Sequence, residues 1–469
     1  MRMSAFFLAL AATISIARAS SSEPLAATPA VLAAIDTAAS TSINPSLPSA
    51  SVTVARDGKI VLSKTYGSAP PNGAYAVGSV TKMMTAVSVM QLVAAHKLRL
   101  DETIGRWFPG YSSGKTITVR QLLAHRSGIP DYLPAALTSG RVYSPTTPKA
   151  IVAEAMAKPL DFTPGTKWNY SNTGYVFAAQ IVEKVSSLPL AQYERQHIYL
   201  PAGMPHTANG TAPAGMTIVP GTFTRPSFYG PGERRNDLSW YYACGDVVST
   251  AQDLVKFDLA LMRGALLPSS LFAQMQRVQS RETLSPNLDD GLGLFVMHLG
   301  TRTEVGHHGG EPGYSADNEM VPADRFAVAV IVNSDTNADV LLQPAIQAFY
   351  PQQFAAMESA ARASTAAAAK AIDPQLTARF QRVLNDLLSA KVDASDLSDP
   401  MIAALGPAGL GQFDAQFAAY GKLQSFTYLA DQQLGAYHRY IYRGTFEHAA
   451  KTLIFVLDSA GKIAGLSQV

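Results

Sequence analysis

The segment Gly78-Ser79-Val80-Thr81-Lys82 opens a long apolar run that ends near Leu98. The run predicts a helix on which Ser79 and Lys82, three residues apart, share one face. A serine hydroxyl is a weak nucleophile at neutral pH, and a lysine between apolar walls can be neutral enough to act as its base. The helix N-terminus would also favour a developing oxyanion near Ser79. The tetrad therefore indicates nucleophilic catalysis, and an N-cap serine beside a solvated lysine is the alternative.

The composition is that of a globular chain with room for more than one domain. The 469 residues are 47% hydrophobic and 15% charged, which allows a large core and two domains or more. The net charge is only +2, with both signs mixed along the chain, so neither a nucleic-acid partner nor an electrostatic membrane surface is expected. The single cysteine, Cys244, cannot form an intrachain disulfide and is interpreted as a small buried residue.

The N-terminus has the pattern of a secretory signal. A basic start, Met1-Arg2-Met3, precedes an apolar run from Ala5 to Ile16 and the small-residue exit Ala17-Arg18-Ala19. A membrane anchor is the alternative, but the run is short for a bilayer span. We therefore expect a signal peptide over residues 1–19, cleavage after Ala19, and a secreted or periplasmic protein with no stable membrane anchor.

The order of predicted elements indicates an α+β fold. Two strands, residues 51–55 and 59–64, flank an Asp57-Gly58 turn, and mainly helical segments fill residues 101–185. Four further strands are predicted at residues 292–298, 301–307, 317–321 and 325–333. Strands, helices and strands in this order predict a domain, residues 25–350, in which the terminal segments share one sheet around a helical insert.

The C-terminal part of the chain differs in composition and in its predicted elements. Residues 351–372 are rich in alanine and are interpreted as a linker. An amphipathic helix at residues 374–391, short helical pieces and four strands follow. They predict a small accessory α+β domain over residues 373–469.

Two further clusters carry chemical groups. Tyr170 and Asn172 are two residues apart in a predicted loop before a helix at residues 175–186, so their side chains would face one cavity. The glycine-rich segment His307-His308-Gly309-Gly310 would let a ligand approach the backbone closely. His125 is expected to bond its own loop, and for Trp168 the sequence leaves open whether it shapes a pocket or only packs.

The motifs Ser79-x-x-Lys82, Tyr170-Ser171-Asn172 and His307-His308-Gly309, in this order, resemble those of the serine β-lactamase and penicillin-binding superfamily. The likeness covers roughly residues 29–350 and is strongest to the class C-like branch, which includes D-alanyl-D-alanine carboxypeptidases, D-aminopeptidases and esterases. The resemblance implies a β-lactamase-like fold, with an antiparallel sheet flanked by helices and an all-helical subdomain.

The resemblance also implies a role for each residue. Ser79 would be acylated and then deacylated by water, and Lys82 and Tyr170 would share the proton transfers, with the acylation base left open. Asn172 would contact the substrate's amide, and the N–H groups of Ser79 and Gly310 would form the oxyanion hole. His307 and Gly309 would complete the substrate-binding strand.

One departure from the β-lactamase pattern bears on the substrate. Lactamases usually have Lys-Thr-Gly or Lys-Ser-Gly where this chain has His307-His308-Gly309, and a mostly neutral histidine should bind a carboxylate less well. No carboxylate or cysteine has metal-ligand spacing to this pair, so neither a metal nor another cofactor is expected.

The predicted function is an exported serine hydrolase that acts through an acyl-enzyme on Ser79. Its substrates would be small esters or D-amino-acid-type peptides, with poor hydrolysis of penicillin. The alternatives are a true β-lactamase and, from another class, a slowly acylating sensor or binding module.

Overall fold

A computed structural model of the chain describes residues 23–223, 236–281, 288–357, 359, 373–389, 391, 393–404, 420–434 and 437–468. The predicted signal peptide and most of the predicted linker lie outside these residues. The chain divides into two compact units, Ser20–Phe354 and a second that contains Ala355–Val469. Each unit is described by itself.

The larger unit is built on one antiparallel sheet. Its strands, with those of a smaller sheet, are β1 Ser49–Arg56, β2 Lys59–Gly67, β3 Gly73–Ala76, β4 Ala208–Asn209, β5 Thr217–Ile218, β6 Val247–Ser249, β7 Asp289–Asp290, β8 Phe295–Leu299, β9 Arg302–Glu311, β10 Tyr314–Val321 and β11 Phe326–Val332. The large sheet has the order β2-β1-β11-β10-β9-β8-β7, and β4-β6-β3-β5 form the small one. Since β1 pairs with β11, the two ends of the unit meet in one sheet, as the sequence predicts.

Helices cover both faces of the large sheet. The helices of this unit, including those that pack on other helices, are α1 Pro29–Ser42, α2 Thr81–Ala94, α3 Val119–Leu123, α4 Leu133–Thr138, α5 Pro148–Met156, α6 Asn172–Ser186, α7 Leu190–Glu194, α8 Leu200–Ala202, α9 Ala251–Met262, α10 Ser269–Met275 and α11 Asp339–Phe349. Helices α1 and α11 pack on one face in a core that includes Val52 and Val330. Helices α2, α6 and α9 form the main core on the other side. Because both faces are covered, every residue of β11 is buried.

Helix α2 is central to this second core. All its residues from Thr81 to Met90 are buried. A 3₁₀ turn, Gly78–Val80, precedes it, and Gly78 has a φ of +51°. The helix stops at Ala94, earlier than the end of the apolar run, because the backbone turns through a left-handed conformation at His96 (φ +55°). The buried helix therefore carries a serine at its entrance and a lysine in its first turn.

The C-terminal unit has its own core. Strands β12 Leu423–Leu434, β13 Tyr437–Phe446, β14 Ala450–Leu457 and β15 Ile463–Gln468 form an antiparallel sheet in chain order. The helix Pro374–Leu388 packs on it through Phe380, whose ring stacks on Phe455 at 4.5 Å. Across the described parts of both units, no helix combines the length and apolarity that a bilayer crossing requires.

Candidate active site

The serine that the sequence predicts to be the nucleophile lies beside a lysine amine at the start of α2. The Nζ atom of Lys82 lies 3.0 Å from Ser79 Oγ, and the Lys82 residue is fully buried. The same Nζ donates to Asn172 Oδ1 and to the backbone oxygen of Cys244, each at 2.8 Å. These two oxygens are fixed by the protein and can only accept. With two directions of Nζ taken up by these oxygens, its remaining lone pair or N–H points toward Ser79 Oγ.

This arrangement serves either protonation state of the amine. A neutral Lys82 uses both N–H groups on the two carbonyl oxygens, which turns its lone pair toward Ser79 Oγ. An ammonium form directs its third proton to the same atom. The Ser-x-x-Lys spacing alone predicts the pair of side chains but not the two acceptors that orient them.

Tyr170 contacts the serine from the segment that precedes α6. Its hydroxyl donates to Ser79 Oγ at 2.8 Å. Burial raises the pKa of the Tyr170 phenol above its usual value, although the nearby Lys82 nitrogen opposes that shift. The phenol therefore keeps its proton and donates it in a hydrogen bond to Ser79 Oγ.

His125 holds the Tyr170 segment in place. The N–H of Asn169 donates to the His125 carbonyl at 2.9 Å, and the N–H of Ser171 donates to His125 Nδ1 at 3.0 Å. The imidazole also stacks on the Tyr170 ring, with ring centroids 4.3 Å apart. The His125 N–H bonds the Leu122 carbonyl of its own segment, but the ring does not bond its own loop as expected, since it contacts the loop that carries the phenol.

The ring of His125 is a neutral acceptor. Burial, and after it the charge of Lys82, lowers the pKa of His125 well below its usual value. Since Nδ1 accepts from the backbone N–H of Ser171, the proton of the neutral ring sits on Nε2.

Asn172 is the first residue of α6 and not a loop residue, because Ser171 caps the helix by accepting from the Gly174 N–H. The Asn172 Nδ2 donates to Asp131 Oδ2 at 3.0 Å, while its Oδ1 accepts from Lys82. Both ends of the amide are engaged within the protein, so a contact with the substrate's amide stays a prediction. Asp131 is a site residue that the sequence reasoning missed.

The histidine motif lies within a strand. The sequence predicts that the strand over residues 301–307 ends at His307, but β9 continues to Glu311, and Gly310 pairs with Ser315 of β10. The His307 ring stacks on Phe295 at 4.5 Å and lies 6.3 Å from the Tyr170 ring, measured between centroids.

His307 is neutral as well. Its Nδ1 lies 2.6 Å from the backbone oxygen of His308. Because a carbonyl oxygen can only accept, Nδ1 carries the proton and Nε2 is left as an acceptor. Burial and the charge of Lys82 push the pKa of His307 well below its usual value.

Two glycines bring β9 against the turn that carries the nucleophile. A Cβ atom at Gly309 would lie 1.9 Å from the Val77 carbonyl oxygen and 3.1 Å from the Ser79 nitrogen. One at Gly78 would lie 2.7 Å from the Gly310 nitrogen. The absence of side chains therefore brings the backbone nitrogens of Ser79 and Gly310 to the same end of α2.

A tight turn presents the Cys244 carbonyl to Lys82. Ala243 adopts a left-handed conformation, with a φ of +62°. Its N–H donates to Asp246 Oδ1 at 3.1 Å, and its carbonyl accepts from Thr85 Oγ1 at 2.8 Å. The sequence gives no signal for this contact, because the group that binds Lys82 is a backbone oxygen. Among the residues that the structure describes, no group of three His, Cys, Asp or Glu side chains is arranged to hold a metal ion.

A serine held between a buried lysine and a phenol, at the end of a central helix beside an antiparallel sheet, defines the class of β-lactamase-fold serine hydrolases. The chain belongs to the Beta-lactamase family, whose model matches residues 34–349. This confirms the superfamily and the fold class that the three motifs predict.

Solved structures similar to the chain include two amide hydrolases. A D-stereospecific amidohydrolase from Streptomyces sp. is 31% identical, with a TM-score of 0.59 over 68% of this chain and 98% of that one. A D-amino acid amidase from Ochrobactrum anthropi SV3, complexed with L-phenylalanine amide, is 25% identical, with a TM-score of 0.58 over 70% of this chain and 99% of that one. A putative penicillin-binding protein, PbpX, from Bacillus subtilis is 28% identical over 61% of this chain and 70% of its own length.

Proposed function

We propose that the protein hydrolyses small D-amino-acid-type amides, with the corresponding esters as further substrates, through an acyl-enzyme on Ser79. The observation that carries the proposal is the convergence on Ser79 Oγ of Lys82 Nζ at 3.0 Å and the Tyr170 hydroxyl at 2.8 Å. Likeness to a D-stereospecific amidohydrolase and a D-amino acid amidase supports amides of D-amino acids as the substrate class.

In the first step Ser79 Oγ forms a bond to the substrate's carbonyl carbon. With Lys82 in its neutral form, the hydroxyl proton passes to the lone pair of Nζ, which the oxygens of Asn172 and Cys244 aim at it. The π electrons of the carbonyl move onto its oxygen. A base in this position typically contributes about 10²–10⁴ in rate.

In the second step the tetrahedral intermediate collapses. The bond to the leaving nitrogen or oxygen breaks, and the Tyr170 phenol gives that atom its proton, which the Lys82 ammonium replaces. Water then attacks the ester on Ser79 by the reverse sequence and releases the acid. Each step uses only groups that contact Ser79 Oγ, and each returns its proton by the end of the cycle.

The negative oxygen of the intermediate would be bound by the N–H groups of Ser79 and Gly310. Both backbone nitrogens lie at the contact between β9 and the turn before α2. Preorganised donors of this kind are typically worth about 10²–10³ each in kcat.

The neutral His307 argues against a β-lactam as the preferred substrate. Its imidazole supplies no positive charge for the carboxylate that penicillins and cephalosporins carry. A neutral acceptor in this place suits an uncharged substrate or one with a free amine.

The test is a panel of substrates with the full-length protein and the Ser79→Ala variant. The panel contains p-nitroanilides of D-alanine and L-alanine, p-nitrophenyl acetate and a chromogenic cephalosporin. We expect turnover of the D-anilide and of the ester that Ser79→Ala abolishes, and slow release from the cephalosporin. Rapid cephalosporin turnover without anilide turnover would instead identify a β-lactamase.

The slow-acylating alternative has a separate signature. Intact-mass measurement would then find an adduct on Ser79 that persists for hours, with no product beyond one equivalent. We expect the adduct to decay at the rate of product release.

We also propose that the protein is exported to a secreted or periplasmic location after cleavage behind Ala19, on the strength of the signal pattern in residues 1–19. N-terminal sequencing of the exported protein is expected to begin at Ser20. Recovery of a chain that still begins at Met1 would contradict export by this signal.

A further inference from the structure

The indole of Trp168 is held beside the catalytic phenol by a hydrogen bond to a carboxyl group. The side chains of Trp168 and Tyr170 are two residues apart on a segment whose alternate N–H groups, those of Asn169 and Ser171, both bond to His125. This alternation is that of an extended chain, in which residues i and i+2 lie on the same side. The indole of Trp168 therefore lies on the same side of the segment as the phenol of Tyr170.

Ring geometry places Trp168 next to the site. Its ring centroid is 6.4 Å from that of Tyr170, and 6.0 Å from that of His125 in an edge-on contact. The Trp168 residue is partly exposed, whereas most large aromatic side chains of this unit are buried. It therefore offers an apolar surface to whatever enters beside the phenol.

A buried acid fixes the orientation of the indole. Trp168 Nε1 donates to Asp290 Oδ2 at 3.0 Å, and Asp290 is only 2% exposed. Asp290 is paired across the β7–β8 hairpin with Phe295, the residue that stacks on His307. One hairpin thus supports both Trp168 and His307, the two side chains that flank Tyr170.

We propose that Trp168, oriented by Asp290, is the specificity-determining wall of the cleft, and that it selects substrates with a planar apolar group next to the scissile bond. The proposal rests on the proposed function and narrows its substrate class to D-amino-acid amides or esters that carry an aromatic ring. Burial of that ring against the preoriented indole would make the binding free energy of such substrates more favourable.

The test compares pairs of substrates that differ only in the ring. The first pair is the p-nitroanilides of D-phenylalanine and D-alanine, which differ by a ring on the acyl side of the scissile bond. The second pair is the anilide and the methylamide of D-alanine, which differ by a ring on the leaving-group side. For Trp168→Ala we expect the ratio of kcat/KM, ring-bearing over ringless, to fall by about 10-fold or more in at least one pair. Trp168→Phe keeps a ring and should retain an intermediate ratio.

Two controls separate selection from folding. Asp290→Ala should lower the ratio, and Asp290→Asn, which retains an acceptor oxygen for the indole, should restore most of it. Trp107→Phe removes an indole elsewhere in the unit and should leave the ratio unchanged. If Trp168→Ala reduces all substrates by the same factor and lowers Tm, the residue only supports the loop and the proposal is overturned.

A binding measurement keeps the result independent of turnover. The chain has three tryptophans, so D-phenylalanine amide added to Ser79→Ala should change a fluorescence signal that the Ser79→Ala, Trp168→Phe double variant lacks. An identical response in both proteins would overturn the role of Trp168. If the fluorescence response depends on Trp168 while the wild type hydrolyses nothing in a Ser79-dependent manner, only the proposed hydrolysis fails.

Discussion

Gly309 of β9 and Val77, just before the 3₁₀ turn, approach so closely that a Cβ atom at position 309 would lie 1.9 Å from the Val77 carbonyl oxygen. No heavy atoms of a folded protein share such a distance without a bond, so the contact exists only because the residue is glycine. It joins β9, which carries His307, to the turn that carries Ser79.

The neighbouring glycine provides a matched comparison. Gly309→Ala must push β9 away from the turn, and we expect kcat/KM to fall by about 100-fold or more as the oxyanion donors separate. A Cβ at Gly310 would meet nothing within 4 Å, and alanine keeps the N–H group, so Gly310→Ala should stay far more active. Kinetics on p-nitrophenyl acetate, with circular dichroism to verify folding, test the pair. Equal activity in both variants would contradict the close contact.

Tyr170→Phe should lower kcat by about 10²–10⁴ because it removes the hydroxyl that bonds Ser79 Oγ and leaves the ring in place. Tyr175→Phe is the control, since this phenol is also buried near Lys82 but donates to the Leu123 carbonyl. The measurement is single-turnover release of p-nitrophenol. A Tyr170→Phe enzyme as fast as Tyr175→Phe would exclude the phenol from the proton transfers.

The sequence predicted the parts of this site that depend on the identity of side chains. The spacing of Ser79 and Lys82 on one helix follows from helical geometry, and the family motifs indicated Tyr170 and the β9 segment. The Cys244 contact could not be predicted, because every residue has a carbonyl oxygen and only the fold decides which one meets Lys82. The same holds for Asp131, whose partner is 41 residues away along the chain.

Several boundaries differ from the prediction, and two of them lie at the site and have local reasons. Apolar periodicity placed the start of α6 near Tyr175, but its Ser171 cap begins the helix at Asn172. The predicted strand ends at His307, just before two glycines, a residue type that is depleted in strands. Pairing with β10 carries β9 through both glycines to Glu311, so tertiary context overrides the local preference.

Thr85→Val should weaken catalysis without touching the substrate, because Thr85 Oγ1 holds the Ala243 carbonyl in the turn that presents Cys244 to Lys82. We expect kcat/KM to fall by about 10-fold, with little change in KM, as for loss of one buried positioning hydrogen bond. Ser88→Ala is the control, since its hydroxyl donates to the Met84 carbonyl within α2 and makes no contact with the Ala243 carbonyl. A loss that comes from a rise in KM alone, or equal losses in both variants, would contradict a role through the turn.

Stability should depend on pH through two acids behind this turn. Burial, and then the charge of Glu194, raises the pKa of Asp246 to about 8, and burial raises the pKa of Glu194 to about 7. An unfolded carboxyl ionises near its ordinary pKa, so the folded state binds more protons over the range between. The stabilising contribution is therefore complete below the ordinary pKa and is lost as pH rises through about 8.

Asp246→Asn removes this titration and keeps an oxygen that can accept from the Ala243 N–H. Between about pH 5 and 8 the wild-type Tm should therefore fall relative to that of Asp246→Asn, with the gap narrowing toward acid. Asp101→Asn is the comparison, because Arg120 lowers the pKa of this surface acid, and its contribution is lost only in more acidic solution. Thermal unfolding followed by circular dichroism at intervals of pH provides the measurement. A difference between wild type and Asp246→Asn that grows as the pH falls would reverse the sign and contradict the protonated, buried carboxyl.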